Sequence, residues 1–197
     1  MKKNLVISIL YTVVTTVVLG LVYPLAFTVL AQVTFKDKAN GQLIPKNGVV
    51  VGSHIIGQTF TGAGYFHTRP SAAGNGYDAS NSGGTNYGPT NQKLVDRVKG
   101  DVAALQAKNP GKPVPIDLVT TSGSGLDPHI TPAAAEFQVS RVAKTRGMAE
   151  DDLRTLVHEH TEGRQFGFLG EPRINVLELN LVLDERYPIS TVQLKGE

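Results

Sequence analysis

The run Thr120-Thr121-Ser122-Gly123-Ser124-Gly125-Leu126-Asp127-Pro128-His129 gathers hydroxyls, glycines, a carboxylate and an imidazole into one short stretch. Two chemistries use such a set. Nucleophilic hydrolysis needs a serine on a sharp turn and a histidine base oriented by a carboxylate. Neither Ser122 nor Ser124 sits in a Gly-x-Ser-x-Gly elbow, and Asp127 and His129 are too close in sequence to define a triad. Anion binding asks for less: backbone N–H groups converging from a glycine-rich turn and a helix N-terminus. Ser122, Gly123, Ser124 and Gly125 supply the turn, while Thr131-Pro132 supplies a cap and a first helical residue. The plainer reading is that Asp127 and Thr131 cap the helix and the glycines take positive φ.

Metal ligation finds no pattern. Cysteines are absent, and His158-Glu159-His160 puts its imidazoles at i and i+2, on different faces of a helix. Walker, Rossmann and kinase signatures are missing as well. No catalytic residue and no metal site is expected in the chain on its own.

The elements that must hold the central run follow from its neighbours. Pro115 to Val119 reads as a short strand entering it, and a helix from Thr131 to about Arg146 leaves it, with Gly147 as the C′ residue. Gln138 and Arg141 lie about two turns into that helix, where the simplest reading is a solvated face. A further helix is expected over Glu150 to Thr161. Upstream, Leu94, Val98, Val102 and Leu105 share one face of a helix over Asn91 to Asn109, which Asn109-Pro110-Gly111 ends. Asn40-Gly41 marks a turn, and Gly48 to Gln58 reads as one or two short buried strands, with His54 on a strand surface. Leu177, Leu179, Leu181 and Leu183 alternate as a strand would, yet Asn175 as N-cap tips Val176 to Asp184 towards helix.

Residues 61–90 are far more than an ordinary connection. Tyr65, Phe66, Tyr77 and Tyr87 punctuate the segment, which argues for an ordered recognition loop rather than a disordered linker. Ser82-Gly83-Gly84 lacks the Gly-Lys-Ser/Thr that a phosphate loop requires.

No charge occurs from Asn4 to Phe35, and Leu5 to Leu30 is predominantly apolar, long enough for a helix to cross a bilayer with some tilt. That length exceeds a signal-peptide core, so an uncleaved anchor is expected. The expected organisation is a leader at residues 1–4, a span at 5–33 and an extracytoplasmic domain at 34–197, with the N-terminus inside. Ser8, Thr12, Thr16 and Gly20 recur at i+4 and form a ridge of small residues that another membrane helix can approach. Pro24 comes next in the series and removes the bond to the Gly20 carbonyl, which predicts a kink. Lys2 and Lys3 are the only charges in residues 1–33, and without them basic and acidic residues balance. A nucleic-acid partner is therefore not expected. The fold class is α+β: a single N-terminal transmembrane helix followed by one compact soluble domain.

Taken together, these pieces resemble the C subunit of the Kdp potassium-transporting P-type ATPase, the KdpC family, over essentially the whole chain. The likeness rests on the N-terminal span, Gly57-Gln58-x-Phe60, Tyr65-Phe66-x-x-Arg69-Pro70-Ser71-Ala72 and Tyr77-Asp78. It continues through Ser82-Gly83-Gly84-x-Asn86-x-Gly88-Pro89 and Asp117-Leu118-Val119-Thr120-x-Ser122-Gly123-Ser124-Gly125-Leu126-Asp127-Pro128-His129-Ile130. Gln138 with Arg141-Val142-Ala143, Gly170-Glu171-Pro172-Arg173-x-Asn175-Val176-Leu177 and Leu179-Asn180-x-x-Leu183-Asp184 complete it. Thr85, Thr121 and Thr131 are conservative departures.

The resemblance implies an accessory subunit in a bacterial inner membrane. Its implied partners are a channel-like potassium-binding subunit and a P-type ATP-hydrolysing subunit. It implies a catalytic chaperone that raises the ATP affinity of the hydrolysing subunit, with Gln138 and the Ser122–Gly125 loop matching residues proposed to touch nucleotide. An outer domain conflicts with that role, since it cannot meet cytosolic ATP and Asp127 would repel phosphate. The alternative is a non-catalytic scaffold. There the Ser8–Gly20 ridge docks on the channel-like subunit and the outer domain covers the potassium entrance, where Asp78 or Asp127 attracts cations. Tyr65, Phe66, Arg69, Asp127 and His129 are its candidate partner contacts. A free-standing anchored binding protein would need the span to work without a partner.

Overall fold

The fold was analysed in a computed structural model, which describes residues 1–189; the expected domain end at Glu197 lies outside them. It is α+β, with one long apolar helix at the N-terminus followed by helices and two small antiparallel sheets. Two compact units divide between Ser53 and His54.

The first unit opens on helix α1 (Lys2–Val17), continues through a π-helical turn (Val18–Val22) and ends in α2 (Tyr23–Thr34). Lys2–Thr34 contains an 18-residue stretch with a mean hydropathy of 2.5, none of it buried, and the helix is long enough to cross a membrane. The irregularity expected at Pro24 takes the form of that wide turn just before it, in which the Tyr23 N–H reaches back to the Val18 carbonyl. Gly20 stays on the face of Thr16, since a Cβ built on it would lie 3.9 Å from the Thr16 methyl. The Ser8 hydroxyl is turned back onto the Asn4 carbonyl at 2.9 Å. A short helix, α3 (Lys36–Ala39), and a turn at Asn40-Gly41 lead to the hairpin of β1 (Leu43–Lys46) and β2 (Val49–Ser53). Asn47 and Gly48 at its tip both take positive φ, 52° and 79°, the arrangement whose twist matches paired strands. These strands are not buried as expected: Val49 and Val50 are exposed, and only Ser53 is buried, its hydroxyl donating to the Gly41 carbonyl. A two-stranded ribbon has no inner face of its own to cover them.

The second unit is built on α5 (Pro132–Arg146), which packs against α6 (Glu150–Glu159) and against the sheet. Thr131 caps α5, its Oγ1 accepting from the Ala134 N–H at 3.2 Å, and Gly147 closes it in the left-handed conformation. Ala134, Ala135, Val139, Val142 and Ala143 are all essentially inaccessible, so this helix is buried on most sides. Beside it a three-stranded sheet runs in the order β3 (His129–Ile130), β5 (Arg173–Asn175), β4 (Thr161–Glu162). Asn175 then caps α7 (Val176–Arg186), whose Leu179 and Leu183 complete the core, so the alternating leucines do belong to a helix. α4 (Gln92–Lys108), capped by Asn91, lies half-exposed, with Leu105 against the core edge.

Pro115 to Val119 is not a strand. Ile116–Leu118 forms a 3-10 turn, closed by Leu118 N–H to Pro115 O at 3.2 Å. The turn aims the buried Asp117 carboxylate at the Thr131 N–H, 2.6 Å away, which an extended chain would not do.

Candidate functional site

The long segment 61–90 has no helix or strand, yet residues 63–67 are held by side chains of the helices behind them. Phe66 is fully buried and fills the core. The Asn180 side chain of α7 accepts from the Phe66 N–H and donates to the Phe66 carbonyl, both at 2.9 Å. One residue on, Gln138 of α5 treats His67 the same way, at 2.8 and 3.1 Å. Two buried carboxamides thus act as a strand edge for a chain that has no strand to pair with. Gln138 is only 4% exposed, not on a solvated face, and its remaining capacity goes to the Ala134 carbonyl and the Arg141 guanidinium.

Arg146 completes the clamp. Its side chain is wholly inaccessible and donates to the carbonyls of Gly64, Leu183 and Tyr187 and to Asp184 Oδ1. The guanidinium also lies 4.9 Å from the centre of the Tyr65 ring, whose hydroxyl donates to Asp184. Burial first, and the Asp184 carboxylate second, raise the Tyr65 hydroxyl pKa above its usual value.

The serine–glycine run is likewise locked from outside. Gly57 N–H donates to the Leu126 carbonyl, Gly83 N–H to the Ser124 carbonyl, and the Ser71 hydroxyl to the Gly125 carbonyl at 2.6 Å. The helix N-terminus that was to receive an anion already holds one, since Asp117 occupies the Thr131 N–H. Asp127 is similarly engaged: Arg69 Nη1 lies 3.1 Å from Oδ2, and the His129 N–H donates to Oδ1 at 3.0 Å. Burial works to raise the Asp127 pKa, but the His129 hydrogen bonds and the His129 and Arg69 charges outweigh it and hold the carboxyl below its usual range. Arg69 further donates to the carbonyls of Thr120 and Thr121. Arg69, Asp127 and His129 are therefore brought together, as are Tyr65 and Phe66. Gln138 and the Ser122–Gly125 loop are not gathered around one cavity.

What the structure does open is a cleft of about 720 Å³ between α4, α5 and residues 59–77. Phe60, Leu105, Leu118 and Phe137 give it apolar walls, and Arg69, Lys108, Arg141 and Lys144 give it positive charge. Among the described residues no carboxylate lines it. Neither Lys108 nor Lys144 forms an ion pair among the described residues, and burial lowers the Arg141 guanidinium to about 10, still charged at neutral pH. Sequence reasoning missed Lys108, Lys144 and His67, because helix-surface lysines carry no local sign that two helices and a loop converge on them.

His67 reports the field in the cleft. Burial first, then the positive charges of Arg141 and Lys108, push its imidazole below 6.5. The folded state therefore prefers the neutral ring. Above pH 6.5 this costs nothing; as pH falls below 6.5 the unfolded chain takes up a proton that the folded one refuses, and stability declines. An NMR titration of the His67 ring should give a midpoint below 6.5 that rises in Lys108→Gln. A midpoint at or above 6.5 would refute the positive cleft.

The family described as "KdpC: K+-transporting ATPase, c chain" matches residues 5–185. The chain belongs to the KdpC family. The potassium-transporting ATPase KdpC subunit of Koribacter versatilis is 73% identical over 191 residues, covering 97% of this chain and 99% of the relative. The KdpC subunit of Rhodospirillum rubrum is 57% identical over 177 residues, 89% and 92% of the two chains. That of Caulobacter vibrioides is 56% identical over 182 residues, 92% of each. KdpC membership makes the chain a subunit of a potassium-transporting ATPase, working beside the other Kdp subunits.

Proposed function

We propose that the chain is a non-catalytic docking subunit of the potassium-uptake ATPase. The α1–α2 span anchors it in the bacterial inner membrane with its N-terminus inside. The domain beyond the span lies outside the cytoplasm and scaffolds the potassium entrance of the channel-like subunit. The observation that carries this reading is the use made of the motif residues. The motif residues Gln138 and Asn180 are buried and bond the backbone of Phe66 and His67, and the buried Arg146 beside them joins Gly64 to Leu183, Tyr187 and Asp184. They fix the shape of a surface and leave little free to bind a ligand or react. Asp127, paired with Arg69 and hydrogen-bonded by His129, is already engaged within the domain.

A second reading, that the subunit raises the ATP affinity of the ATP-hydrolysing subunit, is favoured by the acid-free cationic cleft beside Gln138. Calorimetric titration of the full-length chain with ATP separates the two. The scaffold reading expects no saturable heat at millimolar ATP. It also expects Gln138→Ala to lower the denaturation free energy by about 1–3 kcal/mol, the cost of leaving buried backbone groups unpaired. Saturable binding that Lys144→Ala weakens would transfer the function to the ATP-affinity reading.

A further inference from the structure

The cleft between α4, α5 and residues 59–77 combines a charge and a wall chemistry that the docking role has not used. Its cations stand at graded depths. Lys108 and Lys144 are exposed at the rim, Arg141 is half-buried within and donates to the Ala63 and Tyr65 carbonyls and to Gln138, and Arg69 is already matched by Asp127. The amides nearest the helices are already occupied, while Thr59 and Asn75 on the loop side have no side-chain hydrogen bond among the described residues. Asn109 Nδ2 donates to the Phe137 carbonyl, and Gln138 is saturated by His67, Ala134 and Arg141. Beside Thr59 and Asn75, Phe60, Leu105 and Phe137 offer apolar contact. The occupant that complements this surface carries negative charge at its edge and apolar side chains between.

We infer that the cleft receives an acidic–apolar segment of a neighbouring Kdp subunit, whose carboxylates meet Lys108 and Lys144 in the field of Arg141 while an apolar side chain enters between Phe60 and Phe137. The inference rests on the docking role proposed above. It places one contact of that role on α4 and α5, not on the Ser122–His129 loop. The contact is partly electrostatic, so it weakens with ionic strength.

Zero-length carbodiimide coupling in the purified whole complex, followed by mass spectrometry, tests this. The expected result is a covalent link from Lys108 or Lys144 to an Asp or Glu of another subunit, with Lys93 and Lys99 elsewhere on α4 serving as comparison lysines. Lys108→Glu with Lys144→Glu should reduce the chain's retention in the complex about tenfold at low salt. Lys108→Gln with Lys144→Gln, which adds no like charge, should reduce it less. Absence of an intersubunit link at both lysines, with Lys93 and Lys99 reacting normally, would overturn the inference. So would protection of the lysines from acetylation by ATP or by inorganic phosphate, which would assign the cleft to a small anion. If neither lysine links and retention is unchanged, the docking role survives and only this contact fails. If the unmodified chain itself does not co-purify with the other subunits, the docking role fails.

Discussion

Arg146→Ala is expected to destabilise the domain beyond the span by about 3–5 kcal/mol, the range found when one member of a buried ion pair is removed. Three effects add at this position. The carbonyls of Gly64, Leu183 and Tyr187 lose their donor, and a buried acceptor left unpaired costs about 1–3 kcal/mol. Asp184 loses its counter-charge, although it is one-third exposed and water recovers part of that loss. The Tyr65 ring loses the cation stacked on it. Arg146→Lys should recover only part of the stability, because an ammonium cannot span three carbonyls and a carboxylate in a fixed planar fork. Chemical denaturation of the full-length chain in mild detergent measures both variants. A change under about 1 kcal/mol for Arg146→Ala would mean that residues 64–67 are held by something other than this clamp. Since domains of this size are stable by about 5–15 kcal/mol, the expected loss would also lower the yield of assembled complex.

The clamp shows where reading the sequence succeeds and where it stops. Thr131-Pro132, Gly147 and Asn175 announce helix ends through local bonds, and the structure has them as caps. The apolar N-terminal stretch needs only length and composition to be recognised. The interior role of Gln138 is different in kind. Its partner His67 lies 71 residues away, and Asn180 and Phe66 are 114 apart, so nothing within a window of the chain shows that these amides are buried. A polar residue on a helix reads as surface unless the whole helix is known to be central. Pro115 to Val119 failed for a related reason. Its short apolar run fits a strand, but the pull of the Thr131 N–H on Asp117 decides its conformation from 14 residues downstream. The candidate contacts Arg69, Asp127 and His129 stand out in the sequence by residue type. The structure gives them one another as partners, which makes them the joint between two loops.

Gly125→Ala should destabilise by about 3 kcal/mol or more, through overpacking added to an unfavourable backbone conformation, although it adds one methyl to a loop with no regular structure. Gly125 has φ 69°, in the left-handed region that a side chain disfavours. A Cβ there would lie 2.7 Å from the Ala73 nitrogen, 2.7 Å from the Gly83 carbonyl oxygen and 2.9 Å from the Ala73 Cβ. The first two are backbone atoms with no rotamer to yield, so three loops must separate together. Ser71, whose hydroxyl reaches the Gly125 carbonyl, the Tyr77 N–H and the Ala73 N–H, would be pulled out of register with them. Ser122→Ala should behave in the opposite way. Its one recorded side-chain contact is a 3.5 Å approach to the Ser124 hydroxyl, so losses within about 0.5 kcal/mol are expected, as for surface substitutions in general. The pair of variants separates two explanations of the serine–glycine run. If the run exists to cradle an anion, Ser122→Ala and Gly125→Ala should both impair ligand binding in protein that remains folded. If it exists so that three backbones can touch, Gly125→Ala alone should matter, and it should register as lost stability. Denaturation midpoints of the two full-length variants, measured together, decide between them.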